Sequence, residues 1–203
     1  MVFERSKKSI TRGIASAAFN MMGNLVKYHL LDQHRLSPLY VVWHPTLRCN
    51  LSCRFCDDGR GKKYPELRAK ELPTEQAFQL LKLLRRASKA IYFTGGEPFT
   101  RKDFPELLSY SKQLGFQPIF VNTNLTQPDP LEESIENIDI LIVSLGSTDC
   151  EKYDRIIKGI PGQTARIINT LEVLSQKQKS GGPLLVVNCV ISADRFKDAQ
   201  YVY

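Results

Sequence analysis

The sequence predicts an α/β fold built from parallel βαβ units, and three observations carry that prediction. Short apolar runs rich in β-branched and aromatic residues alternate with longer segments of helical periodicity, five times in succession. The runs are apolar throughout rather than alternating, the pattern of parallel strands covered on both sheet faces. Glycine, cysteine and small polar residues gather just after each run, at Cys49–Cys56, Gly95–Glu97, Asn122–Asn124, Ser144–Gly146 and Asn188–Ser192. Parallel α/β folds build their sites at these strand ends.

Residues 1–36 read as an N-terminal arm and residues 37–203 as one core domain. Arg5, Lys7, Lys8 and Arg12 give the arm a basic start. An apolar stretch from Ile14 to Met22 follows, continued by Leu25, Val26, Tyr28, Leu30 and Leu31, and its spacing is that of an amphipathic helix. Asn20 interrupts the stretch and no small-residue cleavage site follows, so it is not a signal peptide. Such an arm can lie on a membrane surface, dock a partner or a missing part of the protein, or pack over one end of the core; packing on the core is the ordinary expectation.

Ser37-Pro38 marks the boundary, and Leu39–Trp43 is the first strand. His44 stands between it and the cysteine loop, as a candidate ligand or a hydrogen-bonded neighbour. A polar basic loop covers Asp57 to Glu71. Thr74 is a candidate N-cap for a helix with Phe78, Leu81 and Leu84 on its apolar face. Ala90–Phe93 is the second strand, running into Thr94-Gly95-Gly96-Glu97-Pro98. Asp103 and Glu106 are spaced as a capping box before a helix that stops at Gly115. Pro118–Asn122 is the third strand, Leu131–Ile135 a short helix and Ile138–Leu145 the fourth strand. Tyr153–Gly159 reads as a polar connection with a helix cap. A helix from Gly162 to about Lys179 ends at Gly181-Gly182, Leu184–Ile191 is the fifth strand, and Ala193–Tyr203 opens another helix.

The 203 residues suffice for one good core, with 42% hydrophobic and 24% charged residues. No apolar run approaches the ~20 residues needed to span a bilayer. The net charge of +7 is not accompanied by any recognisable nucleic-acid module, so nucleic acid is not an expected partner. Three of the five cysteines are clustered, which argues against a disulfide framework and for a reducing, cytoplasmic setting. Cys189 reads as a small core residue, and Cys150 as a surface thiol or a site residue.

The cluster is Cys49, Cys53 and Cys56, spaced C-x3-C-x2-C. Three thiolates so close together repel one another unless a cation holds them. Structural zinc sites are closed by four protein ligands, so three leave a corner open for chemistry. Thiolates suit an iron–sulfur cluster, and a small ligand carrying an amine and a carboxylate could occupy the free iron. Gly95 and Gly96 would let backbone approach such a ligand closely, and Glu97 would offer its ammonium a negative partner. A zinc-binding structural or interaction protein, its site closed by His44 or Cys150, is the alternative from another class.

C-x3-C-x2-C followed one βα unit later by Gly95-Gly96-Glu97-Pro98, with aromatic Phe55 before the third cysteine, resembles the radical S-adenosylmethionine (SAM) superfamily over residues 39–200. The resemblance implies a partial (β/α) barrel of six units, of which five are visible here. It implies a [4Fe-4S] cluster on Cys49, Cys53 and Cys56, with SAM chelating the fourth iron. Phe55 would lie by the adenine, Gly95, Gly96 and Glu97 would hold the methionyl amine, Ser144 and Asn188 would meet the ribose or carboxylate, and Asn124 would face substrate. It implies reductive cleavage of SAM to a 5′-deoxyadenosyl radical that abstracts hydrogen from a substrate the motifs do not specify. A one-electron donor such as flavodoxin or ferredoxin would be a partner. Residues 153–159 resemble a loop of the peptide-modifying and cofactor-building branches. The missing sixth unit is a departure, and with it a fragment that binds cluster and SAM without turnover is a further alternative.

Overall fold

Five strands, Val41–Thr46 (β1), Ile91–Gly95 (β2), Ile119–Thr123 (β3), Ile140–Ser144 (β4) and Leu184–Asn188 (β5), lie side by side in chain order and all run parallel. The computed structural model describes residues 3–34, 36–56, 66, 70–179 and 181–191. Helix α1 (Phe3–Leu30) precedes the sheet. Between the strands come α2 (Thr74–Ala87), α3 (Phe104–Gln113), α4 (Pro128–Ser134), α5 (Cys150–Ile157) and α6 (Gln163–Lys179).

Consecutive order has a direct consequence. Right-handed crossovers between neighbouring parallel strands put every connecting helix on the same side. The burial pattern agrees. Ile91, Phe93, Ile119, Val121, Leu141 and Val143 point to one face and are fully buried. They form a single core with Leu81 of α2, Phe104, Leu107 and Leu108 of α3, Leu131 of α4, and Ile167 and Leu174 of α6. The residues between them, Tyr92, Phe120, Asn122, Ile142 and Ser144, face the other way and are half-buried. The expectation that both sheet faces are covered is therefore corrected among the described residues. Helices cover one face, and the other is the concave inner wall of a partial barrel.

Every expected strand is present, with β4 and β5 shorter than the apolar runs that signalled them. Tyr153–Gly159 is not a plain connection: α5 occupies Cys150–Ile157, capped by Asp149, whose carboxylate accepts from Lys152 N at 3.1 Å. Thr74 begins α2 rather than capping it, and its hydroxyl donates to Asp103 at 2.7 Å. Most of the expected basic loop 57–71, and the helix expected over 193–203, lie outside the described residues.

Asp103 makes no capping bond because a stronger partner claims its carboxylate. Arg101, 3% exposed, grips it with two bonds of 2.7 and 2.8 Å and donates to the carbonyls of Pro45 (3.0 Å) and Leu72 (2.9 Å). One guanidinium thus joins the end of β1 to the starts of α2 and α3, and a charged, bidentate donor outcompetes a backbone N–H. At the opposite end of the sheet, Asp139 accepts from Ile119 N (2.8 Å) and pairs with Lys112 (2.9 Å), fixing the start of β3. Arg101→Met leaves two carbonyls without this donor and the Asp103 carboxylate with only the Thr74 hydroxyl of its side-chain partners. It is expected to lower the unfolding free energy by about 3 kcal/mol in urea titration, and Arg101→Lys to recover only part of this because ammonium lacks the fork.

Candidate active site

The first strand runs straight into the cysteine loop, and the loop is held from three directions. At its base, buried Thr46 accepts from Arg48 N (2.9 Å) and donates to Glu71 (2.6 Å), while Arg48 pairs with Glu71 through two bonds of 2.6 and 2.8 Å. On one flank lies the turn after β2: Gly96 N donates to Thr46 O (3.1 Å) and Glu97 N to Arg48 O (2.8 Å). On the far side, Ser52 N donates to Ile157 O (3.2 Å) and Arg54 N to Ile156 O (3.0 Å), so the C-terminal end of α5 braces the loop.

The two glycines are required by proximity. A Cβ on Gly96 would sit 2.0 Å from the Arg48 carbonyl oxygen, and one on Gly95 would sit 2.4 Å from that of Thr46. Gly95 also has φ of +122°, which L side chains rarely adopt. Both obstacles are backbone, so no side-chain rotation relieves them.

The loop and the strand ends enclose an open cleft of about 160 Å³. Cys49, Cys53 and Cys56 all line it, with Gly95, Gly96, Asn122, Asn124 and Ser144 from the strand ends, and Leu51, Phe55, Tyr153, Ile157 and Ile167 as its apolar and aromatic wall. Asn124 reaches Cys49 Sγ at 3.7 Å, and Leu51 N donates to the same sulfur at 3.4 Å. Burial pushes the Cys49 thiol above its ordinary value; these donors offset it, and the Glu97 and Cys56 charges add to it. Among the described residues no three His, Cys, Asp or Glu side chains are drawn together tightly enough to hold a metal as they stand. The donor chemistry nonetheless fits a soft metal: the cleft wall carries three thiols and no carboxylate. Coordination to a cation reverses the thiol shift, since a bound thiol is held deprotonated.

Of the other expected site residues, Phe55, Gly95, Gly96 and Ser144 line the cleft. Ser144 donates to Asn122 (3.3 Å), which donates in turn to Thr94 (3.5 Å), a polar rung across three strands. Asn188 pairs in register with Ser144 but is not in the cleft wall. Glu97 is 1% exposed and is not part of the cleft wall. Its two oxygens accept from Phe99 N (3.2 Å), Thr123 Oγ1 (2.9 Å) and Asn124 N (2.6 Å), tying the end of β2 to the end of β3. Burial outweighs these donors and pushes its carboxyl up to about 7. His44 is exposed at the end of β1, and neither it nor Cys150 lines the cleft. Cys189 is half-buried beyond β5, with its thiol 3.7 Å from Gly146 O. Sequence reasoning missed Tyr153, Ile157 and Ile167. The signal was there in the spacing of Tyr153, Ile156 and Ile157, three and four residues apart, behind a capping aspartate.

The fold is a chain-ordered parallel half-barrel that gathers three thiols and a glycine-rich clasp at its strand ends. Residues 43–191 match the family model of the Radical SAM superfamily, and the chain belongs to that superfamily. Its enzymes use a [4Fe-4S] cluster and SAM. An AdoMet-dependent heme synthase of Methanosarcina barkeri is 30% identical over 141 residues, covering 68% of this chain and 39% of that protein. Molybdenum cofactor biosynthesis protein 1 of Dictyostelium discoideum is 31% identical over 173 residues, covering 81% of this chain and 26% of that one. The chain thus spans well under half the length of these relatives. The crystal structure of Streptococcus suis SuiB bound to S-adenosylmethionine superposes with a TM-score of 0.58 over 87% of this chain and 38% of SuiB, at 20% identity, and shows the shared fold.

Two outcomes follow from the clasp. Gly96→Ala is expected to cost about 3 kcal/mol in urea unfolding, the upper end for overpacking, and to speed hydrogen exchange at the Gly96 and Glu97 amides. Glu97 has a folded pKa of about 7 against an ordinary 4.5, so the fold holds a proton that the unfolded chain releases. Its contribution is fully present below pH ~4.5 and is lost as pH rises through ~7, at about 1.4 kcal/mol per pKa unit. The stability difference between wild type and Glu97→Gln, measured in the metal-free chain, is expected to move against the wild type from pH 5 to pH 8.

Proposed function

We propose that this chain binds a [4Fe-4S] cluster through Cys49, Cys53 and Cys56, holds SAM in the adjoining cleft, and uses the pair to start radical chemistry on a substrate. The observation that carries the reading is the convergence of all three thiols and the strand-end glycines on one cleft. When bound, cluster and SAM supply a one-electron cleavage that yields methionine and a 5′-deoxyadenosyl radical able to abstract hydrogen.

The chain's own residues do the rest. Gly95 and Gly96 let a ligand's polar end come close to backbone. Asn122 and Ser144 offer polar atoms in the cleft wall that would meet a nucleoside, and Asn188 pairs in register with Ser144 on the next strand. Phe55 provides a flat surface for a base, and Leu51, Ile157 and Ile167 keep that wall free of water. Glu97 acts behind the site, holding Asn124 and Thr123 in place. A flavodoxin or ferredoxin is the class of partner that supplies the electron, and a reducing cytoplasm the setting that keeps the thiols free.

Anaerobic reconstitution with iron and sulfide tests this. The protein is expected to turn brown, with broad absorbance near ~400 nm, and to release 5′-deoxyadenosine from SAM under a strong reductant. Cys53→Ala is expected to abolish the chromophore and Cys150→Ala to leave it intact. A colourless protein carrying stoichiometric zinc overturns the reading. Retained cluster and SAM binding without cleavage reduces it to a binding fragment.

A further inference from the structure

The amphipathicity of α1 runs opposite to that of the core helices. Ala17, Asn20, Gly23, Asn24 and Lys27 are the half-buried positions among its described side chains. The connection to β1 folds back along this polar side: Gln33 N donates to Lys27 O (2.8 Å), and Asn24 exchanges two bonds with Ser37, of 2.8 and 2.9 Å. Phe19, Met22, Val26 and Leu30 line another face and are 80%, 60%, 40% and 76% exposed. Met21, Leu25 and Tyr28 flank them, also exposed, and the connection adds exposed Leu31, Leu36 and Tyr40. Among the described residues, no strand or helix of the core makes an extended contact with α1. The expectation that the arm covers one end of the core is therefore corrected.

So large an apolar face on a soluble domain marks an interaction surface. Charge selects its occupant. Residues 3–30 carry Arg5, Lys7, Lys8, Arg12 and Lys27 against Glu4 alone, a net +4, and no acidic residue falls between Arg5 and Leu31. A second copy of the helix brings like charge against like. A soluble anion has no use for the apolar face. An anionic lipid surface satisfies both, with acyl chains for Phe19 and its neighbours and phosphates for the basic half. No helix of the described residues is long and apolar enough to cross a membrane, so α1 would lie along the surface.

We propose that α1 is an in-plane membrane anchor that seats the chain on an anionic bilayer through Phe19, Met22, Val26 and Leu30. Flotation of the full chain with phosphatidylglycerol–phosphatidylcholine vesicles tests this. Binding is expected to be at least tenfold weaker on phosphatidylcholine alone and in high salt. The Phe19→Glu/Val26→Glu double variant is expected to lose it by a similar factor while keeping the wild-type melting midpoint. Phe19→Trp, at a site that tolerates change, reports insertion directly as a blue shift of its emission on anionic vesicles. Absence of both flotation and blue shift overturns the proposal. So does a concentration-dependent dimer that the double variant dissolves, with no vesicle binding.

Discussion

The clasp between two stretches of backbone is the constraint on which the site depends. Gly96 and Glu97 donate to the carbonyls of Thr46 and Arg48, and the gap between them admits no side-chain carbon. This contact sets the distance between the cysteine loop and the ligand-facing end of β2. Two small residues do what no larger ones could, because the neighbour is a peptide group that cannot swing aside. Arg101 reinforces the same junction from below by binding the carbonyl of Pro45, one residue before Thr46.

Glu97 shows how such a junction extends across the sheet. An acidic group buried to this degree is costly unless its oxygens are occupied. Here three donors occupy them, two of which belong to Thr123 and Asn124 at the end of β3. Asn124 then touches Cys49. The loop, the second strand end and the third are therefore one bonded unit, and a disturbance at any of the three reaches the sulfur.

Much of this was legible in the sequence, and the reasons divide cleanly. Strands read well because parallel strands bury contiguous apolar runs, and Ile91–Phe93 and Ile140–Val143 are such runs. The cysteine spacing and Gly95–Gly96 marked in the sequence the loop and the strand end that the fold brings to one cleft. Capping read poorly. Thr74 and Asp103 have the right residue types, but they bond each other and Arg101 grips the same carboxylate, and no local pattern announces a partner two residues away that also binds β1. The bonding of Glu97 was hidden for the same reason, since two of its three donors, Thr123 and Asn124, lie in another βα unit. α5 was missed because eight residues hold barely two turns of periodicity. The arm was legible as amphipathic, but which side of it faces the protein depends on Asn24 and Ser37, which only the fold brings together.

The bracing of the cysteine loop by α5 also orders events in time. Ser52 and Arg54 donate to carbonyls of residues about a hundred positions later in the chain. Contacts between such distant segments form slowly, after the intervening segments have collapsed and closed the large loop between them. Until α5 has docked, the cysteine loop lacks the two bonds donated by Ser52 and Arg54. The final setting of the three thiols is thereby tied to the arrival of a segment about a hundred residues downstream.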